Sequence, residues 1–336
     1  MRDRVAGSDP GRTRETDPGK NFRVRTTRAR PSWQSERRRP STGGRTPLGG
    51  DPLSSLSENP VPAFAPDWLA LREEADSDAR ATAPLDPLRV HLAERGAGPG
   101  ARPIRIADLG CGTGSQGRWL APKLSGAQKW VLYDIDSALL SMAGAYTPAR
   151  SADDSSVTAR MCLRDLGSIT ATDLEGVDLA TGSALLDLLT RDELAAVAEA
   201  VTEAGCAALF TLSVAGRVEL FPSEPADAAV TRAFNEHQRR DGRLGPDAVV
   251  AAEEVFAGLG SRTLTFPSSW RLCPERAPLT LAWLRGWVAA ALEQEPDAVP
   301  DGYLERRIGT CEEGGLGAVV HHTDLLALPG EDPDGS

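Results

Sequence analysis

The stretch Ile106-Ala107-Asp108-Leu109-Gly110-Cys111-Gly112-Thr113-Gly114 decides the fold of this 336-residue chain. It begins as a short apolar run, typical of a buried strand, and leads through three glycines into a helix predicted from about Ser115. Glycines let the backbone turn sharply and let a ligand approach without a Cβ in the way. The helix N-terminus behind them offers free N–H groups and the positive end of its dipole. The stretch therefore predicts a strand, a ligand-binding loop and a helix.

Strands and helices alternate along the rest of the chain. Strands are predicted over residues 103–109, 130–133, 157–163, 177–181, 206–214, 262–267 and 318–328. Helices are predicted to start at about Asp136 and to span residues 192–203, 246–259 and 278–294. This alternation indicates an α/β fold, a doubly wound and mostly parallel sheet with helices on both faces. Trp283 and Trp287, four residues apart on one helix face, are typical of core packing.

Composition divides the chain into three parts. Residues 1–60 are rich in Arg, Gly, Pro, Ser and Thr, which predicts a disordered basic tail. Residues 61–100 are predicted to form an N-terminal helical cap, and residues 101–330 the main domain, with an insertion at 216–245. The first 50 residues carry a formal charge of +8, which leaves −19 on the remainder. The negative charge of this remainder repels phosphate backbones and argues against a nucleic-acid partner.

Two carboxylates help to identify the ligand of the glycine loop. The segment from Gly112 to Gly117 also fits the dinucleotide pattern G-x-G-x-x-G, so an NAD site is an open alternative. Asp108, at the carboxyl end of the first strand, would repel a pyrophosphate and attract an ammonium group. Asp134, at the end of the second strand, suits the hydroxyls of a ribose, although it is also a candidate helix N-cap. Asp136, the other candidate, is expected to be that N-cap instead.

The quoted stretch resembles the first motif of the class I S-adenosylmethionine (SAM)-dependent methyltransferases, and Tyr133-Asp134-Ile135-Asp136 resembles the second. The resemblance implies a seven-stranded sheet with an antiparallel last strand, and SAM as the cofactor. It also implies a cofactor site over residues 110–114 and at the following strand ends. The implied cofactor-binding residues are Asp108, Gly110, Gly112, Gly114, Asp134, Ile135, Asp165, Leu166, Thr181 and Ser183. Asp165 is also compatible with an exposed loop position.

The methyl acceptor is expected beyond the carboxyl ends of the strands. Asp187 follows the fourth strand and is one candidate catalytic residue, although it is equally compatible with capping or solvation. His237, in the 216–245 insertion, is the other, because its ordinary pKa suits proton transfer, although it also fits an exposed helix face. Trp68, Leu71 and Arg72 on the first helix predict either a lid or core packing.

These features favour a SAM-dependent methyltransferase acting on a small molecule. The alternatives are an NAD-dependent oxidoreductase and a catalytically inactive SAM-binding or scaffold protein. The five scattered cysteines and four histidines form no metal-ligand pattern, so no metal is expected. No apolar run is long enough to cross a bilayer, and no signal-peptide segment follows Met1, so no membrane contact and a cytoplasmic location are expected. The oligomeric state is not indicated.

Overall fold

The computed structural model describes residues 65–330, so the predicted basic tail and the first residues of the helical cap lie outside the described residues. The strands are β1 (Ile104–Leu109), β2 (Gln128–Asp134), β3 (Val157–Leu163), β4 (Leu179–Ser183), β5 (Ala207–Phe221), β6 (Arg262–Pro267), β7 (Trp270–Leu272) and β8 (Gly317–Leu328). The helices are α1 (Pro66–Ala79), α2 (Leu85–Glu94), α3 (Ser115–Leu120), α4 (Ser137–Ala145), α5 (Arg191–Glu203), α6 (Asp227–Gln238), α7 (Ala248–Gly258), α8 (Ala277–Gln294) and α9 (Tyr303–Glu312).

The strands form one sheet in the order β3-β2-β1-β4-β5-β8-β6, with β7 paired to β8. Strands β1 to β5 are parallel, and β8 runs antiparallel to β5, β6 and β7. The predicted doubly wound sheet with an antiparallel last strand is therefore confirmed. The short strand β7 is an addition that three residues of sequence were too few to predict.

Helices cover both faces of the sheet, as its apolar strands require. Helices α5 and α7 pack on one face, and α2, α3 and α4 contribute to the apolar cluster on the other. A third cluster joins α6, α8 and α9 to the far ends of β5 and β8. Trp283 and Trp287 lie in this third cluster with their rings stacked 5.2 Å apart, which confirms the prediction of core packing.

Strand β5 is longer than its sequence predicts. It continues past Val214 to Phe221, and it pairs with β8 along this extension after register shifts on either side of Val214. The predicted insertion at 216–245 therefore starts inside the strand, and α6 supplies most of the remainder. The extension therefore carries β5 ten residues past Thr211, the last residue that pairs with β4.

Helix α3 is short for a reason visible in the sequence. It ends at Leu120, and Pro122 lies in the 3-10 turn that follows, where its missing N–H is tolerated. None of the helices within residues 65–330 is long and apolar enough to span a membrane.

Candidate cofactor and acceptor site

The glycine loop joins β1 to α3 at the carboxyl edge of the sheet. Gly110, Gly112 and Gly114 all have positive φ, at 65°, 54° and 87°. A Cβ on Gly114 would lie 3.1 Å from Cα of Ala143, so α4 leaves no room for a side chain there. The loop has the left-handed turns and the close packing for which the glycines were expected.

Asp108 is fully buried at the carboxyl end of β1, and neither of its carboxylate oxygens has a hydrogen-bond partner among the described residues. Burial raises the pKa of this carboxyl to about 8, against the opposing effect of the Arg80 charge. A buried polar group without a partner is costly, and native proteins rarely keep one without a reason. Both oxygens of Asp108 are therefore available to a ligand that donates hydrogen bonds.

Arg80 is a residue that sequence reasoning missed. It follows α1 directly, is 3% exposed, and donates to the hydroxyls of Ser115, Ser183 and Thr211, at 3.1, 3.0 and 3.4 Å. One of its terminal nitrogens, Nη1, is buried without a partner in the described part of the chain. Arg80 thus presents an unsatisfied cationic donor at the same edge of the sheet as the unsatisfied carboxylate of Asp108.

Asp134 ties the end of β2 to the glycine loop. Its two oxygens accept from the backbone N–H of Gly112 at 2.8 Å and of Asp136 at 2.9 Å. A carboxylate oxygen accepts more than one hydrogen bond, so this geometry still leaves acceptor capacity for a ligand. Asp136 caps α4 by accepting from the N–H groups of Ala138 and Leu139, which confirms its predicted N-cap role.

Apolar side chains stand exposed beside Asp134. Ile135 is 69% exposed, and Leu163, paired with Asp134 across β2 and β3, is 62% exposed. Leu166 follows β3, and its Cδ1 lies 3.5 Å from the position that a Cβ on Gly110 would take. Asp165 caps the 3-10 turn at Leu166 by accepting from the N–H of Gly167. A planar ring would find an apolar surface here.

Two of the residues expected at the cofactor belong to hydrogen-bond networks of the protein itself. Thr181 is buried, donates to the carbonyl of Leu209 at 2.7 Å and accepts from Gln116 at 2.8 Å. Ser183 accepts from Arg80. These contacts fix Arg80 and α3 against the ends of β4 and β5.

Helix α1 lies over the glycine loop. Cδ1 of Leu69 is 3.6 Å from the position of a Cβ on Gly112. Glu73 accepts two hydrogen bonds from Arg118 of α3, at 2.6 and 2.7 Å. The inner face of α1 also packs on the third apolar cluster through Trp68 and Leu71. Helix α1 therefore both covers the loop and packs on the core. The expected lid and the expected core packing of this helix are compatible.

The two candidate catalytic residues lie in different surroundings. Asp187 is 7% exposed in a 3-10 turn after β4, and one of its oxygens has no partner within residues 65–330. Burial raises the pKa of Asp187 to about 6, against Arg72, Arg243 and the N–H of Val214. His237 ends α6 with its Nε2 3.4 Å from a carboxylate oxygen of Glu293 on α8. Asp187 therefore faces β5, whereas His237 is paired with the outer helix α8.

Comparison with known proteins gives structural matches only. No protein-family model matches the chain, and no curated protein matches it in sequence. A cyclopropane synthase from Mycobacterium tuberculosis aligns at 16% identity over 72% of this chain and 83% of that chain, with a TM-score of 0.39. The YcgJ protein of Bacillus subtilis aligns at 11% identity over 74% and 100%, with a TM-score of 0.40. A geranyl diphosphate methyltransferase in complex with SAM aligns at 16% identity over 73% and 83%, with a TM-score of 0.35.

The sheet itself identifies the fold. Five parallel strands in the order 3-2-1-4-5, an antiparallel β8 between β5 and β6, and a glycine loop after β1 are all present. The chain has the fold of the class I SAM-dependent methyltransferases.

Proposed function

We propose that this protein is a SAM-dependent methyltransferase that acts on a small molecule. The observation that carries the proposal is the pair of buried groups with unsatisfied polar atoms at the carboxyl edge of the sheet, the carboxyl of Asp108 and the guanidinium of Arg80. The amino acid end of SAM carries an ammonium and a carboxylate. It would satisfy both side chains, and a dinucleotide has no ammonium to place against Asp108.

The remaining groups of the site fit the rest of the cofactor. Asp134 has acceptor capacity for ribose hydroxyls, and Ile135, Leu163 and Leu166 offer an apolar surface to an adenine ring. Gly112 keeps the loop free of a side chain beneath Leu69 of α1. These residues therefore fit SAM along its whole length.

SAM, when bound, supplies a methyl group on a positively charged sulfur. The chain's own task is then to align an acceptor in line with that methyl group and to exclude water. Asp108 and Arg80 would hold the amino acid end, while α1 closes over the glycine loop and is fixed there by the Glu73–Arg118 ion pair. Asp187 lies on the side of β4 and β5, where an acceptor would approach.

A small-molecule acceptor is favoured by charge. The sequence after residue 50 carries a formal charge of −19, which is unfavourable for binding nucleic acid. The buried polar atoms of Asp187 and Ser213 also suit an acceptor that enters the molecule rather than one that docks on its surface.

Calorimetry tests the cofactor assignment. The purified protein should bind SAM and S-adenosylhomocysteine saturably and should not bind NADH; the reverse preference would contradict the proposal. Arg80→Met should weaken SAM binding about tenfold, because it removes one charged hydrogen bond. The same variant should leave the affinity for a decarboxylated SAM analogue unchanged, and the exposed Arg89→Met on α2 provides the matched control.

Labelled SAM tests the reaction and the acceptor class. A cell extract is incubated with methyl-labelled SAM and either the wild-type protein or Asp108→Asn, and is then separated by size. Label that appears in the small-molecule fraction only with the wild-type protein supports the proposal. Label in protein or nucleic acid would contradict the small-molecule assignment, and bound SAM without any transfer would favour a catalytically inactive binding protein.

A further inference from the structure

A serine, a histidine and a glutamate form a hydrogen-bonded chain where β8 pairs with both β5 and β7. Nδ1 of His321 lies 3.3 Å from Oγ of Ser269, and Nε2 of His321 lies 2.7 Å from a carboxylate oxygen of Glu219. None of the three residues takes part in the proposed binding of SAM. These residue types, in this order, are those of a nucleophile, a general base and a group that orients the base.

Strand pairing brings the three side chains together. Val319 of β8 is paired with Glu219 of β5 on one side and with Arg271 of β7 on the other. Directly opposed residues share a face of a sheet, and so do residues two apart on one strand. His321 therefore lies on the same face as Glu219. Ser269, two residues before Arg271, lies on that face as well.

The backbone that carries this chain of residues is fixed from behind. Trp270 and Val320, which point to the opposite face, are buried in the third apolar cluster. The side chains of His321 and Glu219 are 25% and 35% exposed, and Ser269 is half-buried. The three polar groups are therefore partly accessible on a rigid support, as a reactive site requires.

The carboxylate of Glu219 determines the tautomer of His321. An ionised carboxylate only accepts hydrogen bonds, so Nε2 of His321 carries a proton and donates it. Nδ1 then has a free lone pair and accepts from the hydroxyl of Ser269. Arg217 forms an ion pair with the same oxygen of Glu219 at 2.7 Å and holds the carboxylate in place. In this tautomer the imidazole is oriented to take the proton of Ser269.

A cavity of about 710 Å³ opens beside Ser269, between α1 and the segment that follows β6. This volume is typical of sites for small molecules. Of the described residues that line it, Ser269 alone carries a hydroxyl. Arg271 lines the same cavity, and its positive charge suits the oxygen that becomes anionic when a carbonyl carbon is attacked.

The cavity is also lined by a second candidate nucleophile, the thiol of Cys273. A hydrogen bond to Glu275 raises the pKa of this thiol, so Cys273 stays protonated near neutral pH. The thiolate, and not the thiol, is the reactive form of cysteine. Of the two side chains, Ser269 is therefore the one with an activating base.

We propose that Ser269 is the nucleophile of a second active site, which hydrolyses a small carboxylic ester, and that His321 is its general base. Glu219 is a positioning residue that orients His321. This inference goes beyond the proposed function and does not depend on it, because no atom of SAM takes part.

The reaction has two halves. Oγ of Ser269 attacks the carbonyl carbon of the ester while its proton passes to Nδ1 of His321. The bond from that carbon to the alcohol oxygen breaks, and the leaving alcohol takes the proton from Nδ1. Water then attacks the acylated serine and gives a proton to Nδ1, which returns it to Oγ as the free acid leaves.

An alkyl fluorophosphonate tests the nucleophile, because it phosphonylates serine hydroxyls that a base activates and releases fluoride. We expect the full-length protein to take one label, located on Ser269 by peptide mass spectrometry. His321→Gln should slow the labelling about 100-fold, which is the contribution of a general base. His91→Gln, which changes a half-buried histidine on α2, is the matched control and should be labelled as fast as the wild-type protein.

Glu219→Gln tests the positioning role. The maximal rate of labelling should fall about tenfold, because a misaligned base takes the proton less well. The half-saturating concentration of the fluorophosphonate and the melting temperature should not change, because Glu219 does not touch the ligand. A merely structural role would change the melting temperature instead.

Hydrolysis of 4-nitrophenyl acetate tests turnover. Release of 4-nitrophenol should continue beyond one equivalent with the wild-type protein and should be lost in Ser269→Ala, which should still bind SAM. Equal release by both proteins would overturn the proposal. The absence of label, a label on another residue, or equal labelling of the wild-type protein and His321→Gln would overturn it as well. If His321→Gln does not fold, an unchanged maximal rate in Glu219→Gln has the same consequence. A protein that is labelled on Ser269 but does not bind SAM would contradict the proposed function alone.

Discussion

The donor and acceptor sides of the molecule are built in different ways. The proposed donor side takes most of its residues from two short motifs, at 106–114 and 133–136, and each motif is a continuous stretch of sequence. The proposed acceptor side is represented by Asp187, which lies in a turn after β4 and faces β5. Loop chemistry at one strand end leaves a local sequence pattern. A side chain placed by the packing of separate elements leaves none.

The strongest test of this contrast is Asp108→Asn. A buried carboxyl without a partner lowers the stability of the ligand-free protein, and it contributes favourably only when a ligand binds to it. We expect SAM affinity to fall by about 2–3 kcal/mol through loss of a charged hydrogen bond. In the ligand-free protein the same substitution should raise the melting temperature at pH 7 to 8. Folding raises the pKa of Asp108 from 3.8 to about 8, so the free energy of unfolding falls as pH rises between these two values, and a neutral asparagine avoids that loss.

The pH dependence of SAM binding follows from the same carboxyl. At pH 7 Asp108 is mostly protonated in the free protein, and an ammonium opposite it would lower its pKa. Wild-type binding should therefore release a proton, and affinity should rise between pH 6 and pH 8. Calorimetry in two buffers of different ionisation enthalpy measures this release. A proton release that persists in Asp108→Asn would show that another group is responsible.

Asp134→Ala tests the second donor motif. SAM affinity should fall by about 1–3 kcal/mol if Asp134 binds the ribose hydroxyls. Asp136→Ala is the matched control, because it removes the N-cap of α4 and should cost about 1 kcal/mol of folding stability with little change in SAM affinity. Equal losses of SAM affinity in the two variants would mean that Asp134 acts only by supporting the loop through Gly112.

The sequence predicted the sheet and the donor motifs because both depend on local patterns. Short apolar runs that alternate with helical segments marked the main strands, and the glycines with Asp108 marked the loop after β1. Arg80 was missed because it lies 28 residues before Asp108, and nothing near it in sequence indicates that it folds onto the strand ends.

His237 was chosen as a candidate catalytic residue because it lay outside any predicted strand. Its position beside Glu293 depends on the packing of α6 on α8, which no local pattern in the sequence shows. Its proposed role remains a prediction.

Helix α1 connects the two sides, and Glu73→Gln tests whether it acts as a lid. The Glu73–Arg118 ion pair is partly exposed, with 31% and 24% of the side chains accessible, so its contribution to stability should be under about 1 kcal/mol. We expect SAM to dissociate about two to five times faster from this variant, measured by stopped-flow fluorescence, with an unchanged melting temperature. Asp86→Asn, which removes the exposed Asp86–Arg89 pair of α2, should leave dissociation unchanged. If SAM dissociates from Glu73→Gln as slowly as from the wild-type protein, α1 does not act as a lid over the donor site.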